Sequence, residues 1–154
     1  MVTMRRLSVC AFVPLCLGIL SLFAAHRLTE PSTAQARALQ EMQSTMTGVY
    51  TTAQAARGEE TYMAVCVSCH PAGTYKAAGF RAAWIGRPLS ELYDQIKEKM
   101  PKNDPASLTP GECAQVLAYL LKINGVPAGE TELSSEAETL KKIRIEMPAQ
   151  GGRH

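Results

Sequence analysis

The chain has 154 residues, a formal charge of +2 and 46% hydrophobic residues, which suits one globular domain with extensions. Three N-terminal arginines (Arg5, Arg6 and Arg27) carry the excess positive charge, because from Arg37 onward 13 basic residues balance 13 acidic ones. A near-neutral body without a basic face excludes an ordinary nucleic-acid-binding protein.

The first 25 residues have the pattern of an export signal. Arg5 and Arg6 precede an uncharged, mainly apolar stretch from residue 7 to residue 25. This stretch is longer than the usual core of a signal peptide and just long enough to span a bilayer, so a cleaved signal peptide and a retained membrane anchor are both open. In either case the arginines stay inside and the rest of the chain is expected in the periplasm, soluble or anchored to the inner membrane.

A polar linker and then a capped helix are predicted next. Residues 26–47 are small and polar and have no apolar periodicity, which predicts the linker. The helix is predicted from Ala53 to Val65, with Thr51 and Gln54 at capping-box spacing. Gly58 lies inside it and costs about 1 kcal/mol relative to alanine. A close contact with another helix would account for this glycine.

Residues 66–70 read Cys-Val-Ser-Cys-His, and this motif carries most of the functional information in the chain. Two cysteines three positions apart can each bond a haem vinyl group, and the adjacent histidine can ligate the iron. A structural zinc site would need about four ligands, and a thioredoxin-like redox pair would need a strand–helix–strand setting. The sequence offers neither. It therefore predicts one covalently attached haem c at Cys66 and Cys69, with His70 as an iron ligand.

The second axial ligand is sought among seven methionines. A helix is predicted over residues 89–99, and Pro101 ends it just after Met100. Cytochromes that carry electrons usually close the iron with a methionine, which raises the reduction potential. Met100 fits best because it ends a helix and follows His70 by 30 residues. Met147 and an open sixth site are the alternatives.

The last core helix has the clearest start signal. Thr109 provides an N-cap and Glu112 its capping-box partner. Gly125 is expected just beyond the end of this helix. The tail over residues 128–154 is polar, with at most one short helix at residues 136–146, and no convincing strand is visible.

Together these features resemble a class I cytochrome c over about residues 48–126. The resemblance rests on the first helix with Gly58 and Tyr62, on the haem motif, on Met100 followed by proline, and on the closing helix with Tyr119 and Leu120. It implies a small all-α fold around one haem, in which the first and last helices cross near Gly58. The expected organisation is a signal or anchor at 1–25, a linker at 26–47, a cytochrome c domain at 48–127 and a C-terminal extension at 128–154.

The resemblance also implies supporting residues. In this family a tryptophan commonly hydrogen-bonds a haem propionate, which assigns that role to Trp84, and Arg87 could pair with the propionate charge. The alternatives are core packing for Trp84 and a solvated position for Arg87. Cys113 matches no family position and is expected to be a buried apolar residue. Three lysines near Met100 could steer an acidic partner or form a plain solvated helix face; they are Lys97, Lys99 and Lys102.

The leading functional hypothesis is therefore an electron carrier and not an enzyme. It would take electrons from a dehydrogenase and pass them to the respiratory chain. Looser similarity at residues 48–51, 84–87 and 125–130 resembles bacterial cytochromes that accompany quinoprotein (PQQ) dehydrogenases. Possible partners are such a dehydrogenase, a terminal oxidase or another cytochrome. The alternatives are a haem enzyme or gas-binding protein with an open sixth site, and a subunit that anchors a dehydrogenase through residues 7–25.

Overall fold

A computed structural model describes residues 42–149. The predicted signal or anchor and most of the predicted linker lie outside these residues. Within the described range, none of the helices has the length and apolar character that a bilayer crossing requires.

The predicted all-α fold is confirmed, with one small addition. The helices are α1 (Thr52–Thr61), α2 (Ala72–Lys76), α3 (Ala78–Trp84), α4 (Leu89–Lys99), α5 (Pro110–Ile123) and α6 (Ala137–Leu140). A π-helical turn (Tyr62–Cys66) follows α1 directly, and a 3-10 turn covers Thr45–Thr47. The addition is a parallel pair of two-residue strands, β1 (Gln43–Ser44) and β2 (Ile143–Arg144), where no strand was predicted. Strands this short are too brief to leave an alternating pattern in the sequence.

Helix α1 begins at its predicted cap, but the capping box is only half formed. The Thr51 hydroxyl accepts a hydrogen bond from the Gln54 main-chain N–H at 3.1 Å. The Gln54 side chain does not return to Thr51. Instead its amide nitrogen donates to the Leu133 carbonyl at 2.8 Å, and its oxygen accepts from the Leu133 N–H at 2.7 Å. A distant main-chain segment has therefore replaced the local partner that the capping-box pattern predicts.

Helices α1 and α5 cross in direct main-chain contact. A Cβ atom placed on Gly58 would lie 1.8 Å from the Gln115 carbonyl oxygen. Beyond this crossing, the Tyr62 and Tyr119 rings pack with centroids 5.0 Å apart. The prediction that a close helix contact accounts for Gly58 is confirmed.

The last two core helices follow their local signals. Helix α4 has the predicted bounds, and both hydrogen bonds of the capping box join Thr109 and Glu112 at the start of α5. Cys113 is fully buried in α5, as expected. The residues that these two helices bury are Leu89, Ser90, Leu92, Tyr93, Ile96, Cys113, Ala114, Val116, Leu117, Ala118, Tyr119, Leu120 and Leu121.

The segment after α5 is part of the core, although its composition is polar. The predicted helix at 136–146 is reduced to α6, and the chain then extends into β2. It extends because alternate side chains, Ile143 and Ile145, point inward and are buried. Main-chain hydrogen bonds of 2.8 and 2.9 Å join Ile145 to Gly86 and Arg87. Leu133 and Leu140 are buried in the same core.

Residues 42–47, at the end of the predicted linker, pack against this tail. Thr45 is fully buried, and its hydroxyl donates to the Glu146 carbonyl at 2.5 Å and accepts from the Glu146 N–H at 2.8 Å. Close by, Gly48 has a φ of +81°, and a Cβ atom on Gly129 would lie 2.0 Å from the Gly48 carbonyl oxygen. The segments on both sides of the predicted cytochrome domain thus meet each other on its surface.

Candidate haem site

A cavity of about 940 Å³ opens between the haem motif, the end of α4 and the start of α5. Its size lies at the upper end of cofactor sites, which are about 300–1,000 Å³. Apolar side chains from two helices and the loop between them line it: Ile96, Leu108, Val116 and Leu120.

The motif folds into a compact turn that faces this cavity. After the π-helical turn, the His70 N–H donates to the Cys66 carbonyl at 2.9 Å, and the Cys69 N–H donates to the same carbonyl at 3.2 Å. Cys66, Cys69 and His70 all line the cavity. No disulfide bond joins the two cysteines. The predicted attachment residues are therefore brought together on one side of the cavity.

The environment of Cys66 differs from that of a redox-active pair. Cys66 is half-buried, and burial raises the pKa of its thiol above the ordinary value. Reactive cysteines in redox motifs instead have a lowered pKa. The direction of the shift at Cys66 is therefore opposite to that of an activated redox thiol.

Met100 reaches the same cavity from a different element. It follows α4, where its N–H still donates to the Ile96 carbonyl at 3.1 Å, and a cis peptide bond joins it to Pro101. It is half-buried and lines the cavity. Met147, the alternative ligand, does not line the cavity and packs against the core in the tail.

These residues fit a c-type haem. Two thiols, one imidazole and one thioether face one apolar cavity, and these are the groups needed for two thioether attachments and two axial ligands.

Trp84 and Arg87 are not brought together with the other four predicted residues. Neither lines the cavity. The Arg87 guanidinium lies 4.4 Å from the centroid of the Trp84 ring and forms an ion pair with Glu91, which lies four residues later in the first turn of α4. The local Arg–Glu spacing of four residues is the sequence signal for this pairing.

Two tyrosines next to the motif make contacts at the site that the sequence did not predict. The Tyr62 hydroxyl donates a hydrogen bond to the His70 carbonyl. Tyr75 lines the cavity, with its ring 5.8 Å from the His70 ring and 6.0 Å from the Tyr62 ring. Burial, and then the nearby Tyr62 and Cys66, raise the pKa of Tyr75 to about 12. For Tyr62 its place on the apolar face of the helix predicted at residues 53–65 was the available signal, whereas Tyr75 has no such signal.

The lysines near Met100 divide into two groups. Lys99 and Lys102 line the cavity. The Lys97 ammonium lies 5.8 Å from the centroid of the Tyr93 ring instead. Of these three lysines, Lys99 and Lys102 place positive charge at the edge of the candidate site.

Comparison with protein families relates part of the chain to a known family. The family described as "Cytochrome C oxidase, cbb3-type, subunit III" matches residues 53–120, somewhat under half of the chain. The matched range holds α1, the haem motif, Met100 and most of α5. No curated protein and no solved structure matches the chain. With the helical architecture, the match makes the fold a small all-α cytochrome c fold, and it supports a class I cytochrome c domain that transfers electrons through haem.

Proposed function

We propose that this protein is a one-electron carrier that holds a single haem c in the cavity described above. The observation that carries the proposal is the convergence of Cys66, Cys69, His70 and Met100 on one apolar cavity. When bound, the haem supplies a couple between ferrous and ferric iron.

The residues have three roles, which are attachment of the haem, ligation of the iron and exclusion of water. Cys66 and Cys69 hold the porphyrin through thioether bonds, while His70 and Met100 ligate the iron. The apolar walls keep water away and disfavour the additional positive charge of ferric iron, so they act with the thioether ligand to raise the potential.

The sequence and the family match support a location and partners for the carrier. Arg5, Arg6 and the apolar stretch at residues 7–25 support export to the periplasm, with the stretch cleaved or kept as an inner-membrane anchor. The matched family is named for a subunit of a cytochrome c oxidase, which supports an oxidase or a second cytochrome as electron acceptor. A quinoprotein dehydrogenase as donor is supported by the similarity of the flanking sequences alone.

Replacing Met100 with alanine tests the axial ligand. We expect the holoprotein to lose its near-infrared sulfur-to-iron absorption band and to have a lower reduction potential, because the thioether no longer ligates the iron. The measurements are the absorption spectrum of the oxidised protein and a redox titration.

Met147→Ala is the matched control, because it removes a methionine that does not line the cavity. It should leave the band and the potential unchanged. An unchanged band in Met100→Ala would refute the assignment. Ready binding of carbon monoxide by the reduced wild-type protein at neutral pH would instead favour the open-site alternative.

A further inference from the structure

Tyr62 connects the core of the molecule to the main chain of the proposed iron ligand. Its side chain is 1% exposed and starts from the π-helical turn that leads into the motif. Its ring packs between Tyr119 of α5, at 5.0 Å, and Tyr75 of α2, at 6.0 Å. Its hydroxyl donates to the carbonyl of His70, eight residues later.

The hydroxyl therefore closes the loop that contains the motif. Main-chain hydrogen bonds shape the first part of this loop, from Tyr62 to Val67 and from Cys66 to His70. The Tyr62 hydroxyl adds a bond at the far end, on the residue whose imidazole faces the cavity. Because the tyrosine ring is held between two helices, this bond fixes the His70 main chain relative to the whole core.

We propose that Tyr62 is a positioning residue for the axial histidine: its hydroxyl sets the orientation of His70 toward the haem iron. The inference rests on the proposed function. Hydrogen bonds behind a metal ligand fix its orientation and tune the metal. Here the bond acts through the main chain of the ligand, and the ring of Tyr62 serves a separate purpose in packing.

Tyr62→Phe separates these two contributions, because it removes the hydroxyl and keeps the ring. In the oxidised holoprotein we expect the hyperfine-shifted haem methyl resonances to change their spacing, since this spacing depends on the orientation of the axial ligands. We also expect a shifted midpoint potential. Proton NMR and a redox titration measure the two effects.

Tyr119→Phe is the matched control. It removes a hydroxyl from the ring that packs on Tyr62 but leaves the bond to His70 in place. Its haem methyl pattern should match that of the wild type, even if its thermal stability falls. Equal patterns in the wild type and both variants, or equal changes in both variants, would overturn the proposal.

A measurement on the wild type tests the same proposal without any variant. If Tyr62→Phe yields no holoprotein, the wild type itself should show a slowly exchanging Tyr62 hydroxyl proton with a nuclear Overhauser contact to His70, and absence of that contact overturns the proposal. Failure of the proposed function looks different, because the wild type would then carry no covalent haem or would lack the sulfur-to-iron band.

Discussion

Gly58 is the residue on which the crossing of α1 and α5 depends. The space for its missing side chain is occupied by the Gln115 carbonyl, 1.8 Å from where a Cβ would lie. A main-chain atom in the middle of a helix cannot move aside as a flexible side chain can. A single methyl group at this position therefore has to push two helices apart.

We expect Gly58→Ala to lower the free energy of unfolding by at least about 2 kcal/mol, because overpacking outweighs the gain in helix propensity. Gly79→Ala in α3 is the control, since nothing lies within 4 Å of its added Cβ. The control should be neutral or stabilising by up to about 1 kcal/mol. Urea denaturation of the two holoproteins measures both values, and equal stabilities would contradict the close crossing.

At the scale of elements, the buried amide of Gln54 attaches the tail to α1, beside the exposed ion pair of Arg57 with Glu132. The Gln54 amide donates to the Leu133 carbonyl and accepts from the Leu133 N–H, so both buried main-chain groups depend on it. A buried polar group that loses its partner costs about 1–3 kcal/mol. This makes Gln54 the strongest single polar link between helix and tail.

Gln54→Ala is expected to lower the free energy of unfolding by about 2–4 kcal/mol, because two buried groups of Leu133 lose their partner. It should also speed hydrogen exchange at the Leu133 N–H. Gln43→Ala removes an exposed glutamine bonded at 3.1 Å to nearby Thr47 and should change stability little. Hydrogen exchange followed by NMR measures the protection of the Leu133 N–H. Equal protection in the wild type and in Gln54→Ala would contradict the dependence of this group on Gln54.

The same elements show how far the sequence could predict the fold and the candidate site. The bounds of α4 and the start of α5 depend on adjacent residues such as Pro101, Thr109 and Glu112, so local patterns were sufficient. The four residues around the cavity were found because a short motif and one helix end carry them. The bonds of Gln54 span 79 residues, and no local pattern records a partner at that distance.

The predicted role of Arg87 shows what a family resemblance leaves out. The resemblance assigns Arg87 to a haem propionate, and that assignment stays a prediction. In this chain Glu91 stands four residues later and forms an ion pair with Arg87, a contact that the resemblance did not include.

At the scale of the whole molecule, charge is nearly balanced, so long-range steering depends on where charges lie. Lys99 and Lys102 line the cavity that would expose the haem edge. An anionic electron donor should therefore approach faster than the small net charge alone would suggest.

Changing Lys99 and Lys102 to glutamate should slow reduction of the oxidised protein by ascorbate, an anionic reductant, and weaken the salt dependence of the rate. Changing Lys141 and Lys142 to glutamate alters the net charge by the same amount in the tail. Stopped-flow measurements at several ionic strengths compare the two variants. Equal rates would show that net charge, and not its location, controls the approach.

The pairing of β1 with β2 also determines when, during synthesis of the chain, the fold can be completed. Gln43 pairs with Ile143, so a chain that emerges amino-terminus first holds this strand without its partner until a hundred further residues have appeared. Contacts this far apart in sequence form late because closing the long loop costs entropy. Cys66, Cys69 and His70 have all emerged well before that moment. The motif is thus available for covalent modification while the two ends of the fold are still apart, and their pairing completes the fold afterwards.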